Sequence, residues 1–300
     1  MKTLENKIIV YDDVCPVCEW YTAKFVETGI LKAENRLGFG ELTDAQRQQI
    51  DPWRGRHEIP MLDTETQQTI YGIDAMFLLF AQKWPMLRLF FQSDVLKSVA
   101  RILYKFVSHN RRVIANSPTT NATAPDYHLG HRMALVGIVT GLAVIIHGLE
   151  TYWLATIWKA HSVAYGTLGL FIMTLIWLFL AYSAPFRSQK YGDYAGHVAI
   201  SLLIATVLFL PLNVLLMIVI AEVGRELGFL NGLIFVSFGF FNRFHYRILR
   251  RRLVVAGLEK KAWQNAQWPL NIQLIIGIWP LIVIGLFIGL ALVQVLWQRL

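Results

Sequence analysis

An α/β domain at the N-terminus followed by an all-α transmembrane bundle of about five spans is the fold class this sequence predicts. Three observations predict it. Apolar residues make up 55% of the 300 residues and charged residues only 16%, where soluble proteins carry about 25% charged. The charges are unevenly placed: residues 1–131 hold 15 Lys/Arg against 15 Asp/Glu, whereas residues 132–300 hold 13 against 5, so the whole net charge of +8 lies in the apolar half. Short runs of strand and helix length fill the first part, and long uncharged runs fill the second. A nucleic-acid binder would carry its basic surplus on a soluble domain. A surplus confined to loops between apolar runs marks membrane spans instead. Nucleic acid is therefore not an expected partner, and the lipid bilayer is.

The elements follow in order. Ile8-Ile-Val-Tyr11 reads as a short buried strand bounded by Asp12-Asp13. Pro16 to Thr28 reads as a helix, with Pro16 at the first position, where a missing N–H costs nothing, and Gly29 at the stop. Arg36–Phe39 is a second strand, and Thr43-Asp44 caps a polar helix near 45–50. Ile59–Leu62 and Gln68–Tyr71 are two strands around a turn at 63–66, and Gly72 precedes an apolar helix from Ile73 to about Lys83. The order β-α-β-α-β-β-α is an α/β layer arrangement. Residues 86–114 are amphipathic at helical spacing: Leu89, Phe90, Val95, Val99, Ile102, Leu103, Phe106 and Val107 alternate with Lys97, Arg101, Lys105, Arg111 and Arg112. That stripe either packs on the α/β layer or lies on a membrane surface. The domain is expected over 1–114, with 115–131 as a linker by composition and 132–300 as the helical membrane domain.

A span needs about 20 apolar residues. The candidates are Met133–Leu149, Val163–Ala184, His197–Ile220, the shorter Leu227–Phe241 and Leu270–Trp297. Arg243, Arg247, Arg250, Arg251, Arg252, Lys260 and Lys261 follow the fourth, while Arg187 and Lys190 follow the second. Both loops lie on the inside, as the positive-inside rule asks, only if Leu227–Phe241 crosses. Five spans result, with the N-terminal domain cytoplasmic and the C-terminus outside. The start shows no cleavable signal pattern, so an integral protein of a bacterial inner membrane is expected.

Cys15 and Cys18 are the two cysteines of the chain, and they form a C-x-x-C at a strand-to-helix junction. A thiol at a helix N-terminus faces unpaired N–H groups and the positive dipole end. Both favour thiolate, the attacking species. Cys15 is expected as nucleophile, with Cys18, one turn on, resolving the mixed disulfide. The other readings are half a zinc site or inert buried thiols. Zinc usually takes four ligands, His57 is the only histidine in residues 1–100, and no metal is expected. Thiol exchange itself requires no cofactor.

Tyr11-Asp-Asp-Val-Cys-Pro-Val-Cys18 resembles the signature of the DCC family of thiol–disulfide oxidoreductases, roughly Tyr-Asp-Gly-x-Cys-x-x-Cys. Tyr71-Gly-Ile-Asp-Ala75 resembles the family's Gly-x-x-Ala helix entry, and Asn110-Arg111 its basic close. The resemblance covers about 6–114 and implies a thioredoxin-like fold. Ile59-Pro60 then matches the strand that carries a cis-proline beside the cysteines. The alternative is an ordinary trans-proline at a strand start. Asp12 matches the family's aspartate and either shuttles a proton for the thiols or caps the turn. Asp13 stands where the family has glycine. Aspartate tolerates left-handed φ, but its charge would disfavour a Cys15 thiolate.

Histidines offer the remaining candidates. His131 with His197 inside, and His147 with His161 outside, make two loose pairs that suit haem or a quinone, or that merely meet water and headgroups. No cysteine lies beyond Cys18, so the helical half cannot relay electrons by thiol exchange. Pro211 and Pro280 are placed to kink spans. The leading expectation is a membrane-anchored thiol–disulfide oxidoreductase acting on a protein or small-molecule thiol or disulfide. The alternatives are a redox-sensing subunit beside a membrane partner, or a haem- or quinone-linked electron carrier.

Overall fold

In a computed structural model, described over residues 6–86, 93–118, 123–157, 189–223, 241, 243–245 and 247–258, the chain divides into two compact units. The first is residues 1–135 with 255–257, and the second 136–254 with 258–300.

The first unit is built on four strands, β1 (Lys7–Tyr11), β2 (Arg36–Gly38), β3 (Pro60–Asp63) and β4 (Thr69–Tyr71), in the order β2-β1-β3-β4. β1 pairs parallel to β2 and antiparallel to β3, which pairs antiparallel to β4. Successive strand residues face opposite sides, so each strand feeds two cores. Ile9 and Met61, register partners, join Phe25, Ile30, Leu31, Ile59, Ala75, Met76 and Leu79 on one side. Val10 and Leu62 join Leu42, Ile50 and Tyr71 on the other.

Helix α1 (Pro16–Glu27) buries Cys18, Thr22 and Phe25, the i, i+4, i+7 face of the predicted helix. Gly29 follows with φ +69°, a left-handed stop. α2 (Asp44–Gln48) starts with a capping box between Thr43 and Gln46. α3 (Pro52–His57) was not expected. Asp51 Oδ1 accepts the N–H groups of Trp53 and Arg54 at 2.9 and 2.8 Å, with Pro52 at the first position. α4 (Gly72–Lys83) begins at Gly72 with φ +63°. A Cβ there would lie 3.2 Å from both Glu58 Oε2 and Tyr104 Cε1.

α5 (Asp94–Ala115) is the amphipathic stretch, and it corrects one expectation. Its buried residues are Ser108, Asn110, Arg112 and Val113, a largely polar face. The apolar stripe points outward: Val95, Ile102 and Leu103 are 73%, 67% and 59% exposed. Among the described residues of the stripe, Val95, Val99, Ile102 and Leu103 do not pack on the α/β layer. The expected linker is also corrected, because its described residues are fastened to the unit. Ser117 N–H donates to Arg112 O at 2.9 Å, Arg56 pairs with Asp126 at 3.1 Å, and Asn110 Nδ2 donates to His131 O at 3.0 Å. Polar composition here marks hydrogen-bonding capacity rather than freedom.

Two long helices follow, α6 (Leu129–Ile157) and α7 (Gln189–Val223). Their segments Leu129–Glu150 and Gln189–Pro211, with mean hydropathies of 1.9 and 1.8, are long and apolar enough to cross a membrane. The first contains the predicted span Met133–Leu149, and α7 contains His197–Ile220, continuing through Pro211. The predicted spans Val163–Ala184 and Leu270–Trp297 lie outside the described residues, as does Leu227–Phe241 except for its last residue. In the second unit Ala195, Val198, Ala199, Leu202 and Ala205 are buried, and so are Asp193, His197 and Ser201. His245 Nε2 and Ser201 Oγ share a 3.0 Å hydrogen bond.

Candidate active site

The two cysteines sit where β1 hands over to α1, and the local sequence dictates the turn. Asp12 O accepts the Cys15 N–H at 3.0 Å, and Asp12 Oδ1 accepts the Val14 N–H at 3.3 Å, an aspartate turn. Cys15 takes the N-cap position in extended conformation, and its Sγ accepts the Cys18 N–H at 3.3 Å. The pair is joined as a disulfide with Cα atoms 5.2 Å apart. A sulfur receiving a helix N-terminal N–H is stabilised as thiolate.

Asp12 is the centre of a buried ionic cluster. Arg112 Nη2 lies 2.7 Å from Asp12 Oδ2, and Arg111 Nη2 lies 3.2 Å from the same oxygen. Thr123 Oγ1 donates to Asp12 Oδ1 at 2.9 Å. Burial pulls the Arg112 guanidinium down from its ordinary pKa, and Asp12 pushes it back up. Four donors therefore converge on one carboxylate: the Val14 amide, two guanidiniums and a hydroxyl. That arrangement fits the turn-capping reading of Asp12, and a carboxylate whose lone pairs are taken up by four donors is a poor base for a thiol. Even so, a carboxylate oxygen of Asp12 and both sulfurs all lie within 4.8 Å of one another, close enough for its charge to act on them. Of the cluster, sequence reasoning found Asp12 and, through the resemblance, Arg111. It missed Arg112 and Thr123. The available signal was a second arginine closing an amphipathic helix, opposite an aspartate at the end of a buried strand.

Two further expectations are corrected. Asp13 Oδ2 accepts the Gly40 N–H at 3.0 Å, so its carboxylate serves the 38–40 turn. Asp13 is also absent from the positive-φ residues, of which the non-glycine members are Gln67 and Asn116, so no left-handed turn is needed at that position. Pro60 follows a trans peptide bond, not the cis bond the resemblance implied. It opens β3, where proline is tolerated for want of an N–H, and its neighbour Ile59 is held by the Tyr104 hydroxyl, which accepts the Ile59 N–H at 2.8 Å.

A cavity of about 230 Å³ opens beside the cysteines. Its lining includes Val17, Cys18, Tyr21, Ile59, Pro60, Met76, Tyr104, Val107 and Arg111. Cys18 reaches it and is 6% exposed, whereas Cys15 is 0% exposed. Cys15, the sulfur held at the N-cap, is not part of that lining. Burial pushes the Tyr104 hydroxyl up to about 12 and Tyr21 higher still. Both stay neutral, leaving a mostly apolar wall with Arg111 at its edge.

His131 lies at the start of α6 in the first unit, ring-stacked on His109 with centroids 4.5 Å apart. His147 Nδ1 lies 3.3 Å from Glu150 Oε2 on the same helix. His197 is fully buried on α7, and His161 lies outside the described residues. Among known proteins, a family model of DCC1-like thiol-disulfide oxidoreductases matches residues 9–116. No curated protein and no solved structure matches the chain.

Proposed function

We propose that the first unit is a thioredoxin-like thiol–disulfide exchange module that reacts through Cys18, with Cys15 as the partner thiolate. The observation that carries the reading is the cavity that touches Cys18 while Cys15 stays 0% exposed. Exchange at sulfur depends on which sulfur an attacking thiolate can reach, and a thiolate of lower pKa leaves faster. A substrate thiolate entering the cavity attacks Cys18 Sγ, the Cys15–Cys18 bond breaks, and the electron pair leaves on Cys15 at the helix N-terminus. A second substrate thiol then attacks its own sulfur in the mixed disulfide and releases Cys18 as thiolate. The substrate dithiol becomes a disulfide and the enzyme pair a dithiol, a two-electron exchange. In reverse, Cys18 attacks a substrate disulfide and Cys15 resolves it. The cycle then needs an external disulfide or dithiol to reset the pair. The cavity is smaller than the usual ligand pocket of about 300–1,000 Å³, so it suits a cysteine side chain of a protein or a low-molecular-weight thiol.

The module is, on this reading, held at a membrane. The apolar side chains of α6, including Ile138, Ile145, Leu149, Tyr152 and Trp153, are 53–65% exposed, which fits lipid and not water. The outward stripe of α5, with Lys97 and Lys105 beside it, fits a helix lying on an anionic bilayer surface. The basic residues Arg243, Arg247, Arg250, Arg251 and Arg252 argue for a cytoplasmic face.

Single-cysteine chains test the assignment. With Cys15→Ser, a thiol substrate or partner is trapped as a mixed disulfide on Cys18. With Cys18→Ser, trapping falls to background. Trapping by Cys18→Ser and not by Cys15→Ser would overturn the order of attack, and trapping by neither would overturn exchange itself.

A further inference from the structure

A second cluster of reactive side chains lies in the first unit, and thiol exchange makes no use of it. His109 on α5 meets His128 and His131 at the start of α6. The ring centroids are 4.5 Å apart for 109–131, 4.7 Å for 128–131 and 5.7 Å for 109–128. A fourth ring, His57, lies 5.0 Å from His109, but both its nitrogens are engaged. Its Nδ1 pairs with Trp53 O at 2.7 Å, and its Nε2 accepts the Asp126 N–H at 3.1 Å.

The other three differ. His109 Nδ1 is buried without a hydrogen-bond partner. A ring nitrogen left without a partner can offer its lone pair to a metal ion when the imidazole is neutral. His128 Nδ1 is held only by the His131 N–H at 3.4 Å. The backbone beneath is fixed, because Asn110 is 1% exposed and its Nδ2 donates to His131 O at 3.0 Å. This bond ties the start of α6 to the α5 residue next to His109.

We propose that His109, His128 and His131 form a three-imidazole site for a first-row transition-metal dication, with Zn²⁺ as the reference ion. Three nitrogens at about 2.0–2.1 Å from a tetrahedral ion place imidazole centroids roughly 5 Å apart, and the observed spacings of 4.5–5.7 Å bracket that value. In the structure the His109 and His131 rings lie face to face at 11°, so their nitrogens do not yet converge. Binding would require the rings to turn about χ2, a broad well for histidine. Three imidazoles suit zinc, copper or nickel better than magnesium or calcium. A site with three protein ligands leaves the fourth position for water.

The cysteine pair is the competing ligand, since Asp12, Cys15 and Cys18 also group within 4.8 Å. The test therefore uses the full-length chain carrying Cys15→Ser and Cys18→Ser, purified in detergent with any affinity tag removed. Calorimetric titration with Zn²⁺ is expected to give one ion per chain. Co²⁺ is expected to give d–d absorption without a sulfur charge-transfer band. His128→Ala, at an exposed ring, and His109→Ala each lower the Zn²⁺ affinity at least about tenfold, the scale seen when even outer partners of a metal site are lost. Failure of the serine double variant to bind Zn²⁺ overturns the proposal, whether or not the unmodified chain binds it. So does an affinity unchanged by His128→Ala, whose fold is checked by its unfolding temperature. Neither result bears on thiol exchange.

Discussion

Substituting Asp12→Asn removes one charge from the buried cluster while keeping the shape of the side chain. The carboxylate is 5% exposed and faces Arg112, itself 2% exposed, at 2.7 Å. Removing one partner of a buried pair leaves the other charge uncompensated and costs about 3–5 kcal/mol. Asparagine still accepts from Val14 N–H and Thr123, so the lower end, about 3 kcal/mol, is expected. For a unit of this size that is an unfolding temperature lower by roughly 9 °C, at about 3 °C per kcal/mol. The same change acts on the sulfurs. A unit charge 4.8 Å away, the largest separation in this group, repels a thiolate by about 3.5 kcal/mol at an effective dielectric of about 20. Relieving that repulsion favours the reduced pair and raises its potential by roughly 75 mV, at about 30 mV per 1.4 kcal/mol. Thermal unfolding of the full chain in detergent and equilibration in glutathione buffers read the two effects. An unfolding temperature within about 2 °C of the parent, or a potential that falls, would refute the assignment of Asp12 as a buried anion acting on the sulfurs.

Three further outcomes follow from the geometry. Gly72→Ala forces a side chain into φ +63° with Glu58 and Tyr104 at 3.2 Å. The left-handed penalty of about 1–2 kcal/mol lowers the unfolding temperature by roughly 3–6 °C, and an unchanged value would contradict the entry geometry of α4. Lys7 forms a salt bridge to Asp63 and holds its carboxyl below the ordinary value of 3.8, against a smaller opposing effect of burial. Because the folded-state pKa is depressed, the stabilisation is complete above pH 3.8 and is lost as the pH falls below it. Asp63→Asn should therefore flatten the acid limb of a stability–pH curve, and an acid limb of undiminished slope would count against the pairing. A nitroxide at Ile102→Cys, in the serine double variant reconstituted into anionic vesicles, should be relaxed more by oxygen than by a water-soluble nickel chelate. The opposite preference would show that the α5 stripe faces water.

Much of the first unit is legible in the sequence because its signals are local. Strand runs bounded by aspartate, Pro16 and Gly29 flanking α1, and the Thr43–Gln46 box each fix an element within a few residues. α3 escaped because six residues give no periodicity, although Asp51-Pro52 is a cap followed by proline. The α5 stripe shows why amphipathicity alone is ambiguous. It reports that one face is apolar, and here the polar face is the buried one, drawn in by Asp12, the Ile59 N–H and the His57 carbonyl. The cysteine pair and Asp12 lie in one eight-residue run, but Arg112 and Thr123 join them from 100 and 111 residues away. A long-range ion pair leaves no spacing to read. Which of the two sulfurs meets the cavity depends on the side chains that line it, which local pattern does not specify. The trans bond at Pro60 marks where a resemblance in sequence outran the backbone.

The central claim is that Cys15 and Cys18 form one reversible two-electron couple. Equilibrating the full chain across a series of dithiol/disulfide ratios, quenching with an alkylating agent and weighing the intact protein tests it directly. The account predicts only species with no added group or two, whose ratio changes tenfold for each 29.6 mV, about 30 mV, of applied potential. A mass that stays unmodified at every ratio, or a stable singly alkylated population, would contradict it.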